Sequence, residues 1–153
     1  MAQFHLHAPS EHTLNGKSMD GEVHFVHSNA PGSALMVVGV FLQVVNGRTD
    51  PFMLSVLDGM DNVSASMGDV ISLGSYSKLV NTNANRLYNY PGSLTTPGCD
   101  EIVDWWVVQK PISVSPKDFT RLQTQLKKLP ATDNGKNVRP VMPLKGRKVI
   151  SLQ

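Results

Sequence analysis

The chain has 153 residues, 41% hydrophobic and 17% charged, with a formal net charge of +2. That is one domain's worth of core. It is too apolar for a disordered segment, and its basic residues Lys145, Arg147 and Lys148 are too few to argue for a nucleic-acid partner. No apolar run approaches the roughly 20 residues of a membrane-spanning helix, and no signal-peptide pattern is visible. The single cysteine, Cys99, cannot close an internal disulfide.

The first predicted element is a strand over residues 3–7, Gln3-Phe4-His5-Leu6-His7. Side chains two apart in a strand point to one face, so His5 and His7 share theirs. A second strand, 22–27, puts Glu22 and His24 on one face and His27 on the other. Asn15-Gly16 and Asp20-Gly21 between the two strands are turn signals and suit a hairpin-like return. Placed side by side, the strands bring His5, His7 and His24 to one point. Three imidazoles with an open fourth position are the ligand set of a catalytic zinc, whereas structural zinc sites are closed by four ligands, often cysteine.

Further along, residues 35–45 read as a strand; the apolar run from Ala34 to Leu42 is rich in valine and interrupted by Gly39. Asp50-Pro51 reads as a helix cap and first helical residue, with Met53, Val56, Leu57 and Met60 at helical spacing. Residues 81–101 read as a loop-rich stretch; Tyr90-Pro91-Gly92-Ser93-Leu94-Thr95-Thr96-Pro97-Gly98-Cys99 suggests an ordered functional loop. Residues 102–108 and 112–114 predict two more strands. Several strands are apolar on both faces, as in the centre of a large covered sheet. Ser115-Pro116 opens a second helix whose apolar face is Phe119, Leu122, Leu126 and Leu129. These helical stripes are core packing.

Gln3-Phe4-His5-Leu6-His7, Ser10-Glu11-His12, Glu22-Val23-His24 and Ser93-Leu94-Thr95-Thr96-Pro97 together resemble the alpha-class carbonic anhydrases of bacterial type. Asn137-Val138-Arg139-Pro140, followed by Pro143-Leu144, resembles that family's C-terminal signature. The resemblance runs along essentially all of residues 1–153. It implies a mainly β fold with a few helices around a large, twisted, mostly antiparallel central sheet. It implies reversible hydration of carbon dioxide to bicarbonate and a proton, with Zn2+ held by His5, His7 and His24. Gln3 and Glu22 would orient the rings of His5 and His24, and the Asn137 carbonyl that of His7. Glu11 would accept a hydrogen bond from Thr95, and Thr95 would orient the attacking hydroxide. Val26, Val37, Leu94 and Trp105 would line the substrate pocket, with the Thr95 amide near the bound carbon dioxide and Thr96 at the mouth. His12 and Tyr90 would brace the site internally.

Anions and sulfonamide-type inhibitors are expected by the same resemblance, with no nucleic-acid or membrane partner. A periplasmic or secreted location is expected from bacterial relatives. The resemblance also implies that the sequence corresponds to the C-terminal two-thirds of the domain. Strands, part of the site wall and a proton-shuttling histidine would lie in the remaining third, as would the disulfide partner of Cys99. Two other readings stand beside it. One is a zinc-binding module of this type without turnover. The other is a cupin-type metalloprotein, in which His5, His7 and Glu11 would hold iron or manganese; the later cupin motif is missing.

Overall fold

The computed structural model describes residues 1–29, 32–62, 76–80 and 86–152. Its strands are β1 (Gln3–His7), β2 (Thr13–Leu14), β3 (Lys17–Ser18), β4 (Gly21–Ser28), β5 (Leu35–Val44), β6 (Leu87–Gly92), β7 (Val103–Val114) and β8 (Ile150–Leu152). Two helices, α1 (Pro51–Asn62) and α2 (Pro116–Lys127), complete the frame. The main sheet has six strands in the order β1-β4-β5-β7-β6-β8. Every pairing in it is antiparallel except β5 with β7. The mainly β fold with a mostly antiparallel central sheet is therefore what the molecule has. Among the described residues no helix is long and apolar enough to cross a membrane.

The alternation of apolar residues gives the sheet two faces. Leu6, Val23, Phe25, Val38, Val40, Leu42, Val108 and Ile112 pack with Met53, Val56 and Leu57 of α1 and with Leu122 and Leu126 of α2. Each such side chain fully buried contributes about 1.5–3 kcal/mol. The opposite face carries Val26, Val37, Phe41, Val103, Trp105 and Val107. Both helices start where expected. Asp50 Oδ1 accepts from the amide of Phe52 at 2.8 Å, and Ser115 Oγ accepts from the amide of Asp118 at 3.2 Å, with Pro51 and Pro116 opening the helices. Asn15 and Gly16, with φ of 52° and 76°, form the two-residue turn between β2 and β3.

Three expectations need correction. Residues 102–108 and 112–114 are one strand, β7. Its register against β5 jumps between Val40–Val108 and Leu42–Ile112, so Gln109, Lys110 and Pro111 face a single partner residue. A bulge absorbs a proline that lacks an amide donor. Within the stretch read as a loop, 81–85 lie outside the described residues, but Leu87–Gly92 is a strand paired to both β7 and β8. The Gly and Pro content masked its period: Tyr88 and Tyr90 point together into the second face. Leu129 is 48% exposed. α2 stops at Lys127 because Pro130 disfavours helical geometry before it, and the Thr132 hydroxyl takes the carbonyls of Leu126 and Leu129.

Candidate metal centre

The site stands on the sheet face away from the helices. β1 and β4 pair with His5 opposite His24 and His7 opposite Glu22, so one short antiparallel ladder delivers all three histidines. Their ring centroids are 4.9, 5.1 and 4.6 Å apart, and one ring nitrogen from each lies within 4.8 Å of the others.

Each ring has an acceptor on its far side. His5 Nδ1 is 2.9 Å from Gln3 Oε1, and His7 Nδ1 is 2.6 Å from the carbonyl of Asn137. His24 Nε2 is 3.0 Å from Glu22 Oε1, a charge contact rather than a well-aligned hydrogen bond. An acceptor at one ring nitrogen holds the proton there and leaves the other nitrogen's lone pair free. The free atoms are then His5 Nε2, His7 Nε2 and His24 Nδ1, and His24 Nδ1 stands 3.3 Å from His5 Nε2. Burial, with the charges of His24 and His7, pushes the pKa of His5 down to about 3. Burial and His24 also lower that of His7. Both rings are thus neutral at physiological pH. His7 Nε2 and Glu11 Oε2 are buried without a hydrogen-bond partner, an arrangement that costs about 1–3 kcal/mol per group and that a cation between them would relieve. The donor set fits zinc.

Glu22 anchors the cluster from below. It is fully buried. Oε1 also accepts from His12 Nδ1 at 2.6 Å, and Oε2 accepts the amides of Glu11 at 3.0 Å and His12 at 2.9 Å. Burial alone would raise its pKa. The charge and hydrogen bond of His12, with the close contact of His24, outweigh burial and hold it well below the usual carboxylate range. His12 Nε2 is 2.6 Å from the Tyr90 hydroxyl, whose pKa burial pushes up, so the phenol stays a donor. A relay thus runs from Tyr90 through His12 and Glu22 to His24. Its acceptor-only carboxylate sets the direction of every proton in it.

The remaining expected residues are placed unevenly. Thr95 is half-buried and lines a cavity of about 630 Å³ together with Glu11, Trp105, Tyr90 and Arg139. Glu11 Oε1, however, accepts the amide of Arg139 at 2.7 Å, while Oε2 turns toward His7 Nε2 at 3.4 Å. The hydrogen bond from Thr95 to Glu11 is not made. Val26, Val37 and Trp105 are buried together, and Leu94 packs against them. Thr96 is exposed. His27 faces away from the cluster and bonds the Tyr76 hydroxyl. Cys99 makes no disulfide within the described residues.

The sequence model of the eukaryotic-type carbonic anhydrases matches residues 1–153. The chain belongs to the alpha carbonic anhydrase family. Alpha carbonic anhydrase 4 of Arabidopsis thaliana is 36% identical over 152 residues, 97% of this chain and 52% of that protein. A carbonic anhydrase of Nostoc sp. is 33% identical over 150 residues, 98% of this chain and 53% of that one. The chain spans about half the length of these curated relatives. Among solved structures, the alpha-carbonic anhydrase of Thermovibrio ammonificans, in complex with the inhibitor sulfanilamide, superposes with a TM-score of 0.77 at 37% identity, over 95% of this chain and 60% of that one. The fungal enzyme of Aspergillus oryzae gives a TM-score of 0.80 at 32% identity, over 95% and 59%. This family match displaces the cupin reading.

Arg139 lies within the C-terminal signature, but nothing in the sequence assigns it a role. Besides the hydrogen bond its backbone N–H donates to Glu11, its guanidinium donates to Ser93 Oγ at 3.0 Å and to the Leu94 carbonyl at 3.3 Å. It therefore ties the Thr95 loop to the carboxylate that faces the histidines. An arginine two residues after Asn137 was the available signal.

Proposed function

We propose that this chain carries out the zinc-dependent, reversible hydration of carbon dioxide to bicarbonate and a proton. The observation that carries the reading is the convergence of three imidazole nitrogens, each backed on its far side by an acceptor. His5, His7 and His24 would hold the metal. Zinc on neutral nitrogen ligands lowers the pKa of a bound water to about 7, carbonic anhydrase being the standing example of the effect, and so supplies hydroxide at neutral pH.

The chain's own residues do the rest. Val26, Val37, Leu94 and Trp105 present an apolar wall that suits an uncharged, weakly polar substrate. Thr95 would orient the nucleophile, and Glu11 would be the acceptor for the Thr95 hydroxyl hydrogen bond. Gln3, Asn137 and Glu22 fix the ring tautomers. His12 and Tyr90 extend the relay behind His24. No described histidine outside the ligand set faces the cluster with a free ring nitrogen: His12 is engaged at both nitrogens, and His27 lies on the other face. Sulfonamides and small anions are the expected inhibitors.

Stopped-flow hydration of carbon dioxide by the zinc-loaded protein tests the reading. Zinc-dependent hydration that a sulfonamide abolishes is the expected result. One observation favours a second reading, a zinc-binding module without turnover: the Thr95–Glu11 hydrogen bond is not made. Stoichiometric zinc binding with no hydration above background would select it.

A further inference from the structure

We propose that Gly39 is a positioning residue of this centre, because the space left by its missing side chain is the seat in which the Glu22 carboxylate lies beneath His24. Gly39 sits in the middle of β5, opposite His24 on β4 and beside Val107 on β7. Glu22 stands opposite Phe41, two residues further along, and its side chain leans diagonally across the strand. A Cβ on Gly39 would stand 2.7 Å from Glu22 Oε1 and 3.7 Å from both His24 Cδ2 and Trp105 Cζ3. The oxygen contact is well inside van der Waals separation, and the other two are ordinary packing.

The carboxylate has nowhere to retreat. It is fully buried and held from two sides: His12 Nδ1 and His24 Nε2 on Oε1, the amides of Glu11 and His12 on Oε2. Any movement away from a Cβ loosens the grip on both rings at once. Gly39 has no positive φ, so what this position requires is space rather than an unusual backbone. Glycine inside a strand is otherwise a poor choice, since it packs nothing and adds backbone entropy. Its presence between Val38 and Val40, both buried, is explained by the neighbour it admits. Gly39 acts on the metal only through Glu22 and His24, and the zinc arm of its test rests on the reading above.

The experiment is a double-mutant cycle of Gly39→Ala and Glu22→Ala with two readouts. The first is zinc affinity by chelator competition. The second, in metal-free protein, is the downfield imidazole N–H proton resonance of His12 Nδ1 bonded to Glu22. Gly39→Ala should weaken zinc binding roughly 10–100-fold, as loss of an orienting partner does, and should shift or broaden the downfield resonance. In the Glu22→Ala background, which removes the clashing oxygen, Gly39→Ala should change zinc affinity by less than about twofold. Equal losses in both backgrounds, or an unmoved resonance, would overturn the proposal. If Gly39→Ala alone unfolds the chain, thermal melting decides: a double variant as stable as Glu22→Ala supports the seat, and one markedly less stable overturns it. Absence of zinc binding in the unaltered protein would sink the hydration reading, while the resonance still decides the role of Gly39.

Discussion

Replacing Glu22 by glutamine probes the logic of the centre most sharply, because the change preserves shape and removes only charge and acceptor capacity. Three hydrogen bonds and one charge contact converge on this carboxylate: His12 Nδ1 bonds one oxygen with His24 Nε2 beside it, and two backbone amides bond the other. A glutamine must turn its NH2 toward one side, so it orphans either the His12 donor or both amides. Each orphaned donor costs about 1–3 kcal/mol, giving about 1–6 kcal/mol of lost stability in the metal-free protein. His24 also loses the charge that favours its Nε2–H form. Loss of such a partner weakens metal binding roughly 10–100-fold, about 1.4–2.7 kcal/mol. Urea unfolding of the metal-free protein measures the first quantity and chelator competition the second. Stability within about 0.5 kcal/mol of the unaltered chain, or undiminished zinc affinity, would refute the assignment of Glu22 as the anchor beneath His24.

Other outcomes follow from the same geometry. Thr95→Ala should retain zinc and lose roughly 10²–10³-fold in hydration rate, the usual effect of removing one orienting hydrogen bond; stopped-flow assay at equal zinc loading checks it. Val26→Tyr should keep zinc, since Val26 packs in the apolar group with Val37, Phe41 and Trp105, yet abolish most activity by filling the apolar wall; retained activity would put the substrate elsewhere. Asp118→Asn should destabilise the fold by about 1 kcal/mol at neutral pH. Hydrogen bonds from Thr49 and then Ser115 lower the pKa of Asp118, so its contribution is present above the ordinary carboxylate pKa and fades as pH falls through the lowered folded value. Denaturant titrations should therefore show the difference between the two proteins shrinking below about pH 4.

Much of the centre was legible in the sequence because its parts are local. His5 and His7 two apart on one strand, and Glu22 and His24 on the next, need only the period of a strand and a pairing partner to converge. Gln3 reaches His5 by the same period. The helix starts at Asp50 and Ser115 were legible for the same reason: a cap and a proline are neighbours in the chain. What was not legible depends on distant contacts. Arg139 meets Glu11 across 128 residues, and nothing near either position announces it. Gly39 interrupts a valine-rich run, and only the fold shows that Glu22 fills its place. β6 was hidden because Pro91 and Gly92 signal a turn, while its identity as a strand comes from pairing with β7 and β8. The Thr95–Glu11 bond implied by the family resemblance depends on where the Thr95 loop settles, and in this structure Arg139 takes one Glu11 oxygen while the other faces the histidines.

The most direct measurement is zinc X-ray absorption on the purified protein after metal loading, with metal content determined in parallel for the His5→Ala, His7→Ala, His24→Ala and His27→Ala variants. One zinc per chain, with three imidazole nitrogens at about 2.0–2.1 Å, lost in the first three variants and kept in His27→Ala, is the predicted result. Zinc bound through carboxylate or sulfur ligands, or lost in His27→Ala while surviving the other three, would contradict the account.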